Sequence, residues 1–243
     1  EIEEIKQTLE NDKKEIENLK SEKEQKTKEL NSTKKEKEGY IDELSGEAKQ
    51  LQEDIAQFER DKAAIDKRLE EIANANKPSK PSGGSGGGSS SSKGYICPIP
   101  GLSKENITCG FYGYSGHGGV DFGGNYGKSV VAAKSGKVVI SETLTGNIPN
   151  YDSNGNKIGS YRSYGEYIAI LHDDGAITLY AHGKPGSRKV KVGQKVKQGQ
   201  QIMNVGNTGN VQPRPTPSNP RGGAHLHFEI RINGVRVNPE NYL

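Results

Sequence analysis

Glycine is so unevenly distributed that it divides the chain before any other feature is considered. Of 32 glycines, only Gly39 and Gly46 precede residue 83. Glycine in a helix interior costs about 1 kcal/mol relative to alanine, and it is the natural residue for turns that need positive φ. The first third of the chain can therefore be helix, while the rest must be built from short elements and many turns. Residues 1–77 also contain no proline, and they hold 22 acidic against 16 basic residues; the remainder holds nine acids and 18 bases. A net charge of +3 thus joins an acidic part to a basic one.

Within residues 1–77, apolar side chains recur at steps of three and four: Ile2, Ile5, Leu9, Ile16 and Leu19, then Leu44, Leu51, Ile55, Phe58, Ile65, Leu69 and Ile72. That is a heptad seam and predicts a coiled coil. The seam is weak from Lys23 to Lys37, where only Leu30 is apolar, and the step Tyr40–Leu44–Ala48 shifts the register. Two arrangements fit: a continuous helix paired with another chain, or a hairpin folding back near residues 33–46. The two glycines and the register shift favour the hairpin or a broken helix. Self-association or a protein partner through residues 1–77 is expected in either case. Residues 78–94 are rich in Gly, Ser and Pro and read as a flexible linker, because such residues bury too little surface to offset their ordering entropy.

Residues 95–243 show alternating apolar segments separated by turn signals, the pattern of an antiparallel β domain. "KSVVAAKSGKVVIS" reads as two strands around Ser135-Gly136. "GEYIAILH" and "AITLYAH" read as a hairpin, as do "HLHFEIRI" and "VRV" across Asn233-Gly234. The fold class is α+β and multidomain: a helical coiled coil at 1–77, a linker at 78–94 and a mainly antiparallel β domain at 95–243.

No apolar run approaches the ~20 residues that span a bilayer, and no signal segment is present. The chain begins with Glu1, which reads as a fragment or a processed form. Cys97 and Cys109 could form a disulfide or remain free thiols, and neither has a second cysteine pair or a neighbouring histidine to complete a zinc set.

Three of five histidines fall in two short stretches, "SGHGGVDFGG" and "GGAHLHFEIRINGVRV". Alternation along "HLHFEIRI" puts His225, His227, Glu229 and Arg231 on one strand face and Leu226, Phe228, Ile230 and Ile232 on the other. In "AITLYAH", Thr178, Tyr180 and His182 share a face opposite Ile177, Leu179 and Ala181. His117 and Asp121 flank a glycine turn that can bring both side chains inward. Imidazole and carboxylate together suit Zn²⁺, and three ligands with an open fourth position mark a catalytic site. His172, in "ILHDDG", reads as a surface or hydrogen-bonded residue.

At these residues the chain resembles the M23 zinc metallopeptidases, the LytM/lysostaphin-type cell-wall endopeptidases. The family pattern H-x-x-x-D, Y-x-H and H-x-H stands here as "HGGVD", "YAH" and "HLH". The likeness extends through "VVAAKSGKVV" and "VKVGQKVKQGQQIMNVGNTG" to cover essentially all of residues 95–243. It implies one Zn²⁺ per chain held by His117, Asp121 and His227, with His182 and His225 as the catalytic pair. The implied reaction is hydrolysis of peptide bonds in bacterial peptidoglycan stems or crosslinks by metal-activated water. The implied location is secreted or in the cell envelope, with a peptidoglycan peptide as substrate and no nucleic acid as partner.

Three departures stand out. An arginine common before H-x-x-x-D is missing from "CGFYGYSGHGG". "TLTGNIPNYDSNGNKIGSYRSY" is an extra stretch, and "NVQPRPTPSNPRGGA" is longer than usual. Both insertions fall where family loops wall the substrate groove. The rival readings are a non-catalytic coiled-coil activator of cell-wall amidases and a phage-borne wall hydrolase. The acidic arm is expected either to control the enzyme by folding over a basic groove or to act as a spacer.

Overall fold

The computed structural model describes residues 1–76 and 94–243. The linker reading at 78–94 therefore lies, apart from Gly94, outside the described residues. A single helix, α1, runs unbroken from Ile2 to Ala75. The expected hairpin or break near 33–46 does not occur. Two glycines cost about 2 kcal/mol together, too little to interrupt a run of Glu, Lys, Leu and Ala. Where the apolar seam is weak, Lys26–Glu22 and Lys34–Glu38 pair one turn apart, a spacing that supports an exposed helix.

The chain divides into two compact units, Glu1–Ile55 and Ala56–Leu243. In the first, seam residues such as Ile2, Leu9, Ile16 and Leu44 are exposed. No helix among the described residues is long and apolar enough to cross a membrane.

The second unit is the β domain together with the last turns of α1. Its strands are β1 (Val120–Gly123), β2 (Ser129–Val131), β3 (Gly136–Tyr151), β4 (Lys157–Leu171), β5 (Ile177–Gly183), β6 (Lys195–Val196), β7 (Gln201–Asn204), β8 (His225–Ile232) and β9 (Val235–Val237). The main sheet has the order β1-β8-β5-β4-β3-β6, with β9 also on β8, and β2 pairs β7 in a small second sheet. All of these pairings are antiparallel. The hairpins expected at β4–β5 and β8–β9 are both present. Asn233 and Gly234 have φ of 53° and 81°, as a tight hairpin turn requires. The extra stretch 143–164 is not a loose loop: it lengthens β3 and β4 into one long hairpin.

The sheet is buried on both faces. One core gathers Val120, Phe122, Tyr180, Leu226, Phe228 and Ile230 with the small sheet. The other packs Ile65, Leu69 and Ala73 of α1 against Ile140, Ala169, Ile177, Leu179 and Ala181. The face assignment from alternation holds along β5 as far as Ala181: Tyr180 belongs to the first core, and Ile177, Leu179 and Ala181 to the second. Tyr180 tolerates this because its hydroxyl accepts from Ala133 N at 2.8 Å and from Thr178 at 3.0 Å.

Candidate metal centre

Strand pairing brings the two histidine-bearing stretches together. Asp121 on β1 lies directly opposite His227 on β8. The turn before β1 carries His117 inward, and Gly119 is what allows it: a Cβ there would lie 2.5 Å from Phe228 O and 2.8 Å from the His227 ring. His117, Asp121 and His227 are all buried.

Hydrogen bonds fix which nitrogen of each ring is bare. His117 Nδ1 donates to Gly110 O at 2.8 Å, so neutral His117 has its lone pair on Nε2. His227 Nε2 lies 3.3 Å from Glu229 Oε1, a carboxylate that can only accept, so the lone pair is on Nδ1. Those two bare nitrogens are 3.1 Å apart, and they sit 3.0 and 2.8 Å from Asp121 Oδ1. Three acceptors thus converge on one point with no proton left to share, which is the environment a cation requires. Without a metal, a proton takes that place. Burial opposes charge on His227, but the Asp121 and Glu229 carboxylates outweigh it and raise its pKa to about 9. Burial would raise Asp121, yet the close-lying His117 and His227 rings hold it well below the usual carboxylate range.

His182 and His225 stand beside this trio. His182 Nδ1 donates to Thr208 O and His225 Nδ1 to Gly223 O, each at 2.8 Å. That leaves the lone pair of each neutral ring on Nε2, and His225 Nε2 is 3.8 Å from Asp121 Oδ1. The two rings lie 4.6 Å apart. Burial, reinforced by the neighbouring histidines, lowers His182 well below its ordinary pKa, and burial also lowers His225. Both are neutral near pH 7. By simple alternation His182 would sit on the Tyr180 face, away from His227. Its φ of 61° turns it the other way, at the irregular β4–β5 pairing beside Glu166. The structure thus gathers all five of the expected site residues.

Several neighbours were not expected. Glu229 is fully buried; its own desolvation is outweighed by Arg231, His227 and Arg236, which hold it well below the carboxylate range. Tyr164 donates to Glu229 at 2.8 Å, and its ring stands 5.9 Å from His227. Glu229 and Arg231 were legible only as members of the His227 strand face. Cys109 does approach a histidine: with His117 and Asp121 it offers donor atoms within 4.8 Å of one another. Its Sγ is nearest His117 Nδ1, at 3.7 Å, the nitrogen already bonded to Gly110. Burial and then Asp121 raise the thiol's pKa. Both cysteines are free. His172 lies outside this cluster, buried between Ser135 O and Thr178 Oγ1.

The last turns of α1 lie against the centre. Phe58 packs edge-on to Tyr164 with centroids 6.1 Å apart, and Lys62 Nζ donates to Gly116 O at 2.6 Å. Together with His117, His182 and His227 they line a small pocket of about 70 Å³.

Known proteins with related sequences include a murein hydrolase activator and a peptidoglycan endopeptidase. The murein hydrolase activator NlpD of Salmonella dublin is 35% identical over 128 residues, 53% of this chain and 26% of that protein. The peptidoglycan DD-endopeptidase ShyC of Vibrio cholerae is 41% identical over 81 residues, 33% of this chain and 16% of that one. The chain spans about a quarter of the length of the Salmonella and Escherichia coli NlpD proteins it matches. Among solved structures, a zinc-containing peptidase from Vibrio cholerae is similar with 26% identity and a TM-score of 0.43, covering 61% of this chain and 40% of that one. Lysostaphin from Staphylococcus simulans is similar with 30% identity and a TM-score of 0.36, covering 52% and 43%. The model of peptidase family M23 matches residues 115–239, just over half of the sequence and the span that contains all five clustered site residues. On that match, the chain belongs to peptidase family M23.

Proposed function

We propose that the protein is a zinc-dependent endopeptidase that hydrolyses peptide bonds in bacterial peptidoglycan, acting outside the cytoplasmic membrane. The observation that carries this reading is the donor set. His117 Nε2, Asp121 Oδ1 and His227 Nδ1 face one another with their lone pairs free, and the mix of imidazole and carboxylate suits zinc. When bound, zinc supplies Lewis-acid chemistry, acidifying a coordinated water and polarising a carbonyl.

The chain's own residues then have separate tasks. His117, Asp121 and His227 would hold the ion. Neutral His182 and His225, each anchored through Nδ1 to a backbone carbonyl, present Nε2 as a base toward the reacting water. One of them takes the water's proton on its bare Nε2, and the protonated ring returns it to the leaving amine. Glu229 orients His227 by accepting from its Nε2. Peptidoglycan as substrate rests on family membership and on the names of the relatives.

Those names also supply the rival reading, a non-catalytic activator of other wall hydrolases. Five intact site residues favour the enzyme. The test is digestion of soluble crosslinked stem peptides by the full chain, with products read by mass spectrometry. Chelation should abolish cleavage and added zinc restore it. Products that are identical with and without chelator would overturn the proposal.

A further inference from the structure

Beside the metal centre lies a second site that the proposed chemistry does not use. Arg231 and Arg236 project from β8 and β9 onto Glu229. Arg231 Nε and Nη2 bond Glu229 Oε2 at 3.0 and 2.6 Å, and Arg236 Nε bonds it at 3.2 Å. Two guanidiniums thus share one carboxylate of their own domain. The second negative charge comes from α1. Asp66 accepts from Arg236 Nη1 and Nη2 at 2.8 and 2.6 Å and from Arg231 Nη2 at 2.7 Å. The Arg236 contact is the bidentate fork by which arginine recognises a carboxylate.

We propose that Arg231 and Arg236 form a subsite for a carboxylate of the peptide substrate, and that Asp66 fills it in the resting chain as a substrate mimic. The proposal deepens the peptidase reading and rests on it. Three observations carry it. First, charge: without Asp66 the two guanidiniums keep only the single Glu229 carboxylate, and the net positive charge left in this largely buried cluster favours a second anion. Arg231 and Arg236 side chains are 2% and 17% exposed, while Asp66 is 33% exposed, so the carboxylate enters from the open side. Second, continuity: a pocket of about 340 Å³ lined by Asp66, Arg231 and Arg236 shares Lys62, Gly116 and Gly118 with the metal-centre pocket. A peptide lying along one reaches the other. Gly118 has no room for a side chain because Arg236 occupies that space, so the fork abuts the residue next to His117. Third, helix spacing: Phe58, Lys62 and Asp66 are successive i, i+4 positions and form one stripe. Phe58 and Lys62 stand over the metal centre while Asp66 fills the fork. A tethered carboxylate acts at an effective concentration of about millimolar, so it competes with substrate without needing high affinity.

The test is binding, measured with the full chain in chelator so that no turnover intervenes. The probes are a fluorescent synthetic stem tetrapeptide with free carboxylates and its amidated counterpart. Asp66→Asn should bind the free acid at least tenfold more tightly than wild type does, and at least tenfold more tightly than it binds the amide. Adding Arg236→Gln should erase the preference for the acid. If that double variant does not fold, Arg236→Lys, which keeps charge but loses the fork, should reduce the preference. Equal binding of acid and amide by Asp66→Asn would overturn the proposal and leave Asp66 as a helix-docking contact. The result is independent of whether the zinc-loaded chain cleaves peptide.

Discussion

The roles of the four clustered histidines separate by what each ring's second nitrogen does. His117 and His227 spend theirs on Gly110 O and Glu229, which aims the bare nitrogens at Asp121. His227→Ala should lose stoichiometric zinc by elemental analysis. His182→Ala and His225→Ala should retain it but lose about 10²-fold or more in turnover; full-strength zinc in His227→Ala would contradict the ligand set. Glu229→Gln keeps an acceptor for His227 but removes the charge, and should weaken zinc about 10–100-fold, read by chelator competition on protein that still melts cooperatively. Acid loss of activity follows protonation of the His182–His225 pair. Burial lowers both pKa values, so their base form persists further into acid and the midpoint of the acid limb of kcat/KM should fall below pH 6.5. A midpoint at or above 6.5 would contradict neutral, buried bases. At this scale the sequence was legible where spacing on one strand sufficed, as with His225 and His227. It was not legible at His182, where positive φ overrides alternation, nor at Cys109, which meets His117 through an isolated bridge between Cys109 and Asp121 that no motif announces.

Elements were readable in proportion to how local their causes are. The β8–β9 hairpin follows from Asn233-Gly234, and β4–β5 from flanking strands of clear alternation. The long β3–β4 hairpin was hidden because its polar, Gly- and Asn-containing insertion resembles a loop. The α1 hairpin expected near 33–46 does not form: among the described residues nothing lies within 4 Å of where a Cβ at Gly39 or Gly46 would stand, so the two glycines act through intrinsic propensity. Packing of α1 on the sheet was hidden too: Ile65, Leu69 and Ala73 were legible as seam residues, but not that the sheet would cover them. Leu69 is fully buried there. Leu69→Ala should weaken that packing by about 2–5 kcal/mol and, by loosening the turns over the metal centre, raise hydrolysis of soluble stem peptides. An unchanged or lower rate, with zinc still bound, would count against a restraining role for α1.

Across the whole molecule, composition alone separated an acidic helix from a basic β domain, but the compact units divide elsewhere. The boundary falls between Ile55 and Ala56, inside α1, because its last turns bury apolar side chains in the sheet while the earlier ones do not. The expected choice between a controlling arm and a spacer therefore applies to two parts of one helix: residues 56–75 carry the contacts at the site, and residues 1–55 present an exposed seam of the kind that pairs with another helix. The most direct measurement is release of peptides from purified peptidoglycan by full-length Asp66→Asn, with zinc or with chelator, alongside a separately added amidase. Zinc-dependent products with newly cleaved peptide bonds are expected, formed without the amidase and absent when His225→Ala is added to the same chain. Zinc-loaded protein that cleaves nothing itself but accelerates the amidase would contradict the peptidase reading and identify an activator instead.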